Sequence, residues 1–217
     1  MLKINFSKSD GSPLVVLCLG AHSDDLEIGC GGTILRLLNE YPNTEVCWVV
    51  FAGKGQRATE ADRSANLFLA GAKKRKVVIN NFRDSFFPYI GTEIKEYFEQ
   101  LKSDFTPDFI LTHYRNDLHQ DHRLISELTW NTFRNHLILE YEVIKYDGDL
   151  GSPNFFVHLD REVCNKKIDY IYQCFESQDN RHWFSKDAFM SLLRLRGVES
   201  NAPERFAEGF YCRKLVC

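Results

Sequence analysis

Short apolar runs alternate with longer amphipathic segments along most of the chain. The short runs have the length and continuity of strands buried on both faces, and the longer segments repeat apolar residues at helical spacing. The predicted strands cover residues 14–19, 46–51, 76–79, 108–112, a stretch near 139–145, and 154–159. The predicted helices cover residues 26–39, 59–72, 92–102, 119–134, 161–177 and 185–196.

This alternation predicts an α/β fold with a mainly parallel sheet and helices on both faces. We find no internal repeat and no linker, so residues 1–217 are expected to form a single domain whose less regular last third elaborates it. In a sheet of order 3-2-1-4-5, the first and fourth strands are neighbours, and ligands bind beyond the carboxyl ends of strands at such a switch point. The loops after these two strands are therefore the expected site.

Composition and charge narrow the class of protein. The chain is 44% apolar and 26% charged, which is typical of a soluble globular protein, and its net charge of -3 gives no reason to expect a nucleic-acid or membrane partner. No apolar run approaches the length of a membrane span, and the first residues lack the apolar core of a secretory signal. Seven scattered cysteines without a C-x-x-C pair favour reduced thiols, and we expect a cytoplasmic protein.

Polar clusters follow the first and fourth predicted strands. His22, Asp24 and Asp25 come soon after the first, and a second cluster, His113 to His122, follows the fourth and contains His119 and Asp121. Two imidazoles and one carboxylate around an open position make a typical catalytic zinc site. A neighbouring carboxylate can then act as general base, and a histidine as acid or oxyanion partner.

Taken alone, each cluster also has a structural interpretation. Asp24 or Asp25 could cap the following helix, because aspartate is a common N-cap residue. The H-x-x-H spacing of His119 and His122 could be a surface helix face. Glycines 29, 31 and 32 do not match the G-x-G-x-x-G fingerprint of dinucleotide binding, since they follow the acidic residues and not the strand. Because both clusters follow predicted strands, their joint occurrence favours a functional site over these structural interpretations.

The two clusters resemble the motifs of the PIG-L/LmbE family. "AHSDDLEIGCGGT" is similar to that family's AHPDDxExGxGGT signature, with Ser23 in place of proline, and "HQDH" at 119–122 resembles its HPDH motif. The segment 196–210 weakly resembles the family's terminal YAEAF-type stretch. The resemblance implies a Rossmann-like three-layer sandwich and a zinc-dependent de-N-acetylase acting on N-acetylglucosamine-containing substrates.

Carried over by position, the resemblance implies a role for each motif residue. His22, Asp25 and His122 would be metal ligands, Asp24 the general base for the attacking water, and His119 the group that stabilises the oxyanion and helps to protonate the leaving amine. Asp121 would orient an imidazole. One Zn²⁺ per chain is expected, although histidine and carboxylate ligands also accept iron, cobalt or manganese.

Substrate contacts are less well defined in the sequence. Arg57 and Asp84 lie in loops where relatives bind sugar hydroxyls, although Asp84 could cap a turn and Arg57 could be a solvated charge. Aromatic residues at 86–89 and the polar-aromatic segment that begins at 178 are candidates for the mouth of the site; core packing and a surface loop are their ordinary interpretations.

The expected reaction is removal of an acetyl group from a small N-acetylated sugar, such as a glycoside or nucleotide-sugar, by metal-assisted amide hydrolysis. Two alternatives are kept: a metal-dependent amidase acting on a non-sugar acylated amine, and a non-catalytic Rossmann-like module that binds a nucleotide-sugar. The second predicts no bound metal and no dependence on Asp24. Homo-oligomerisation is left open.

Overall fold

A computed structural model describes residues 3–6, 8 and 10–216. Its strands are β1 (Leu14–His22), β2 (Thr44–Ala52), β3 (Lys74–Ile79), β4 (Phe109–His113), β5 (Leu137–Tyr141), β6 (Phe155–Leu159) and β7 (Phe206–Cys212). Its helices are α1 (Asp25–Glu40), α2 (Gln56–Phe68), α3 (Gly91–Asp104), α4 (Gln120–Thr132), α5 (Arg161–Cys174) and α6 (Lys186–Glu199). Single 3₁₀ turns lie at Phe87–Tyr89 and Glu176–Gln178.

All seven strands form one sheet in the order β3-β2-β1-β4-β5-β7-β6. β1 to β5 pair in parallel, and β7 pairs antiparallel to both β5 and β6. The predicted order 3-2-1-4-5 is confirmed, so β1 and β4 are neighbours at the point where the strand order reverses.

Successive residues of β1 enter two different apolar layers, as the two-residue repeat of a strand requires. Val16 and Cys18 pack with α1, α2, α5 and α6 on one face, whereas Leu17 and Leu19 pack with α3 and α4 on the other. Both faces are therefore covered by helices, which explains why the strand reads as a continuous apolar run. The three-layer α/β domain is confirmed.

The predictions differ from the structure most in three places. Helix α2 begins at Gln56 and ends at Phe68, whereas it was predicted over residues 59–72. Strand β5 ends at Tyr141, and Glu142 instead accepts hydrogen bonds from the Arg196 guanidinium at 2.7 and 2.8 Å. Strand β7 was not predicted at all.

β7 contributes a buried carboxylate to helix α1. Glu208 Oε1 and Oε2 accept hydrogen bonds from the backbone N–H groups of Gly32 and Thr33 at 2.8 and 2.6 Å. Lys167 Nζ lies 2.6 Å from Glu208 and donates to the Ile28 carbonyl at 2.7 Å. This buried ion pair therefore holds the helix that begins at Asp25.

No helix within the described ranges combines the length and the apolar character that a membrane crossing requires.

Candidate metal centre

The two polar clusters meet at the carboxyl ends of β1 and β4. His22 is the last residue of β1, Asp25 begins α1, and His119 is the N-cap residue of α4, which carries His122 in its first turn. The parallel pairing of β1 with β4 brings these segments together although they lie about a hundred residues apart in sequence. The expectation that the two motifs share one site is confirmed in geometry, whereas the roles of the residues stay predictions.

The three predicted metal ligands form a tight triangle. His22 Nδ1 lies 3.2 Å from His122 Nε2 and 3.4 Å from Asp25 Oδ2, and His122 Nε2 lies 3.4 Å from Asp25 Oδ1. Zinc bonds of about 2.0–2.1 Å place tetrahedral ligand atoms about 3.3–3.4 Å apart. Asp25 approaches His22 with Oδ2 and His122 with Oδ1, and these separations are close to those around one tetrahedral metal ion. All three residues are buried.

Each imidazole is oriented by a carboxylate on its other nitrogen. His22 Nε2 lies 3.1 Å from Asp121 Oδ2, and His122 Nδ1 lies 2.9 Å from Asp117 Oδ2. When these nitrogens donate their protons to the carboxylates, His22 Nδ1 and His122 Nε2 each carry a lone pair. Two lone pairs facing each other at 3.2 Å beside the Asp25 carboxylate repel, so this arrangement requires a cation or a proton between them.

Asp25 keeps its negative charge in this setting. Burial raises the pKa of Asp25, but the nearby imidazoles of His122, His113 and His22 outweigh burial and hold that pKa well below its ordinary value. Its Oδ2 accepts a hydrogen bond from the His22 backbone N–H at 2.6 Å, which fixes the carboxylate toward the histidines. A charged, oriented carboxylate is the form that binds a metal.

The predicted general base, Asp24, sits beside the triangle with its side chain free of the helix. Asp24 is the N-cap residue of α1, yet its carboxylate makes no capping hydrogen bond, so the capping interpretation is wrong for this residue. Burial raises the pKa of Asp24, and Arg57, whose Nη2 lies 3.0 Å from Oδ1, opposes that rise. The net rise makes this carboxylate a better proton acceptor than an ordinary aspartate.

His119 presents a proton donor to the same space. Its Nδ1 accepts a hydrogen bond from the backbone N–H of Asp121 at 3.3 Å, so in the neutral ring Nε2 carries the proton. Burial and the neighbouring imidazoles of His122 and His22 lower the pKa of His119, which favours that neutral form. Its ring centre lies 4.9 Å from that of His22.

Arg57 and Asp84 lie at the edge of the site and contact it directly. Arg57 Nη1 is 3.5 Å from Asp84 Oδ2, and Asp84 Oδ1 is 3.4 Å from His22 Nε2. The Asp84 side chain is 51% exposed, so it faces both the site and solvent. Both residues therefore contact the site, and their role in substrate binding stays a prediction.

Three residues outside the predicted set also belong to the site. His113, at the end of β4, is fully buried with Nε2 3.2 Å from Asp25 Oδ2, and burial lowers its pKa to about 4. Asp117 accepts hydrogen bonds from the His119 backbone N–H at 2.8 Å and from Lys145 Nζ at 3.0 Å. The position of His113 at a strand end could have identified it as a site residue. Nothing in the sequence links Lys145 to Asp117, which lies 28 positions earlier.

Comparison with known proteins agrees with this geometry. The family model described as PIG-L, GlcNAc-PI de-N-acetylase, matches residues 17–133, which is more than half of the chain and contains every predicted site residue.

Several solved structures share the fold. An N,N'-diacetylchitobiose deacetylase from Pyrococcus horikoshii is 22% identical, with a TM-score of 0.68 over 91% of this chain and 83% of that one. GalB, the 4-carboxy-2-hydroxymuconate hydratase of Pseudomonas putida KT2440, is 17% identical, with a TM-score of 0.70 over 94% and 98%. The zinc-inhibited form of the teicoplanin deacetylase Orf2 is 14% identical, with a TM-score of 0.65 over 91% and 95%. At these identities the structures establish the fold, and the family match carries the activity: this chain belongs to the PIG-L family of metal-dependent deacetylases.

Proposed function

We propose that this deacetylase removes the acetyl group from an N-acetylated amino sugar of the N-acetylglucosamine type, carried as a glycoside or nucleotide-sugar. The products are acetate and a free amine. We further propose that one Zn²⁺ ion is held by His22, Asp25 and His122.

One observation carries the metal part of this proposal. The facing ring nitrogens of His22 and His122 and the Asp25 carboxylate converge within 3.2–3.4 Å. Asp121 and Asp117 hold both rings in this orientation. A zinc ion at this point would supply a Lewis acid for the amide carbonyl and for water.

The remaining residues fit the steps of amide hydrolysis. Asp24, with its raised pKa, accepts a proton from the attacking water. His119 Nε2–H donates a hydrogen bond to the oxygen that becomes negative in the tetrahedral state. The proton held by Asp24 then passes to the departing nitrogen, so His119 remains neutral. Arg57 and Asp84 offer a donor and an acceptor to sugar hydroxyls.

The sugar is supported by the family description and by the neighbour that deacetylates N,N'-diacetylchitobiose. Because a hydratase shares the fold, fold alone does not select the reaction. A metal-dependent amidase acting on a non-sugar acylated amine uses the same residues, and a substrate panel distinguishes the two. A non-catalytic binding module is disfavoured by the convergence of Asp24 and His119 on the triangle.

The decisive experiment measures metal content and acetate release together. Purified protein is analysed for zinc, iron, cobalt and manganese, and then assayed on N-acetylglucosamine glycosides, a UDP-linked N-acetyl sugar, and N-acetylated amino acids and polyamines. We expect about one zinc per chain and chelator-sensitive acetate release from sugars only, with Asp24→Asn as the inactive control. Release from the non-sugar amines alone would refute the sugar proposal, and absence of both metal and activity after zinc addition would refute the whole assignment.

A further inference from the structure

Exposed apolar side chains are concentrated around the site. Ten large apolar side chains of the described residues are exposed, and five of them lie on the loops that follow β3, β4 and β5. We call these five the apolar rim: Phe86, Tyr89, Leu118, Tyr146 and Leu150, which are between 36% and 81% exposed. The other five lie near the chain ends or on α6. Apolar exposure on the loops that border a site is typical of a binding surface.

One side of the apolar rim is attached to the metal centre. Phe87 donates its backbone N–H to Asp121 Oδ1 at 3.1 Å, and its ring stacks on His22 with centroids 5.9 Å apart. Phe86 precedes it, and the rings of Phe86 and Tyr89 contact each other with centroids 5.8 Å apart. The exposed rings of Phe86 and Tyr89 therefore lie one and two residues along the chain from Phe87, whose ring contacts His22.

The other side is fixed by a polar network. Leu118 immediately precedes His119 and donates its backbone N–H to Asp149 Oδ2 at 2.7 Å. Lys145 Nζ contacts both Asp149 and Asp117, which joins the loops after β4 and β5. Tyr146 and Leu150 are the chain neighbours of Lys145 and Asp149, and the Tyr146 hydroxyl accepts a hydrogen bond from the backbone N–H of His182 at 3.3 Å. The hydrogen-bonded backbone therefore holds these apolar side chains in solvent-exposed positions.

A small hydrophilic sugar does not account for this surface. Aromatic rings can stack on the faces of a sugar, but the aliphatic side chains of Leu118 and Leu150 offer only apolar contact. With the rings of Phe86 and Tyr89 they place apolar surface on each of the loops that follow β3, β4 and β5. We propose that the substrate carries an alkyl or aryl aglycone on its N-acetylated sugar, and that the apolar rim binds this aglycone. This inference rests on the proposed function.

The test compares glycosides that differ only in the aglycone. Acetate release by the zinc-loaded protein is measured for methyl, phenyl and octyl N-acetylglucosaminides below the micelle concentration, and octanoate release is measured for methyl N-octanoylglucosaminide. We expect kcat/KM for the octyl or phenyl glycoside to exceed that of the methyl glycoside by about tenfold or more, since tenfold requires only about 55 Å² of apolar surface to leave water. The larger of the two gains distinguishes an alkyl from an aryl aglycone.

Matched variants assign the gain to the apolar rim. In the Tyr89→Ser, Leu118→Ser double variant, the ratio of octyl or phenyl to methyl kcat/KM should fall close to one; this ratio cancels any loss shared by all substrates. The control is Leu195→Ser, Val198→Ser, which removes two exposed apolar side chains from α6 and should leave the ratio unchanged. Tyr89→Ser alone, at the most exposed position of the five, should give an intermediate ratio.

Three results would overturn the inference in distinguishable ways. Equal rates for all aglycones would refute the aglycone contact while amino-sugar deacetylation stands. If kcat/KM for the N-octanoyl compound exceeded that for methyl N-acetylglucosaminide, and the octyl and phenyl glycosides showed no such increase, the apolar group of the substrate would lie on the acyl side. No hydrolysis of any glycoside by metal-loaded protein would refute the inference and the proposed function together.

Discussion

Asp121→Asn tests whether the site depends on a carboxylate that reaches the metal only through His22. In the wild type, Asp121 Oδ2 accepts hydrogen bonds from the Ser85 backbone N–H at 2.7 Å and from His22 Nε2 at 3.1 Å, and Oδ1 accepts from the Phe87 N–H at 3.1 Å. Asparagine has one oxygen. In either orientation the NH₂ group of the asparagine faces at least one of these N–H donors, so at least one hydrogen bond is lost. The remaining hydrogen bonds no longer have a charged acceptor.

The cost to folding follows from these contacts. Asp121 is fully buried, and a hydrogen bond to a charged acceptor is worth about 1.5–3 kcal/mol. Losing one such bond and weakening two should therefore lower the free energy of unfolding by about 2–4 kcal/mol. For a chain of this length, each kcal/mol shifts Tm by about 2–4 °C, so Tm should fall by roughly 4–16 °C.

The effect on the metal is separate from the effect on folding. Partners that orient a ligating imidazole are worth about 10–100-fold in metal affinity, so the Kd for zinc should rise by that factor. Zinc affinity is measured by competition with a chromophoric chelator, at a temperature where circular dichroism shows both proteins folded.

Asp108→Asn is the matched control. Asp108 likewise accepts hydrogen bonds from a backbone N–H group, that of Val15, at 2.7 Å and from the Lys8 ammonium group at 2.8 Å. It lies at the amino end of β4, away from the site. This variant should lose stability and keep its zinc affinity. A zinc Kd within twofold of wild type in Asp121→Asn, despite the lowered Tm, would refute the reasoning.

Three further predictions concern the base, a ligand and alkaline stability. Asp24→Asn should bind zinc normally and lose about two to four decades of turnover in the acetate assay, the scale of general-base removal; near-wild-type turnover would refute its role. His122→Ala should lose the metal, and full zinc occupancy by elemental analysis would contradict the ligand assignment. Burial raises the pKa of the Cys47 thiol to about 12, so between about pH 8.5 and 12 the folded state retains a proton that the unfolded state releases. Stability should therefore fall as pH rises through this window, by at most about 1.4 kcal/mol per pH unit. Cys47→Ala should show a shallower fall between pH 8 and 10.5 in urea titrations, and an identical slope would contradict this.

The sequence predicted the part of the fold that is repetitive and locally determined. The strands of the parallel half are apolar because helices cover both of their faces, so the runs at 14–19 and 46–51 were unambiguous. β7 was missed because its sequence, Phe206–Cys212, contains Glu208 and Gly209 among its apolar residues. The carboxylate of Glu208 is buried only because Lys167 and two backbone N–H groups of α1 meet it, and those partners come from distant segments.

The same contrast holds for the site. His22, Asp24, Asp25 and the 119–122 motif could be predicted because they lie in two short segments that the strand order must bring together. Asp117 and Lys145 could not, because their part in the site depends on how the loops after β4 and β5 fold against each other. Capping of α1 by Asp24 was a reasonable expectation from local sequence. It fails because Arg57, from another element, holds that carboxylate.

The position of β7 late in the chain has a consequence for the order in which the enzyme matures. All three proposed ligands have been synthesised once residue 122 has been made, but the carboxylate that holds α1 belongs to residue 208. A nascent chain grows at about 5–20 residues per second, so the helix carrying Asp25 waits several seconds for its buried partner. During that interval the edge of β5 is unpaired, because β7 is the strand that lies between β5 and β6. The arrangement that holds the helix of Asp25 is therefore complete only after β7 has been synthesised.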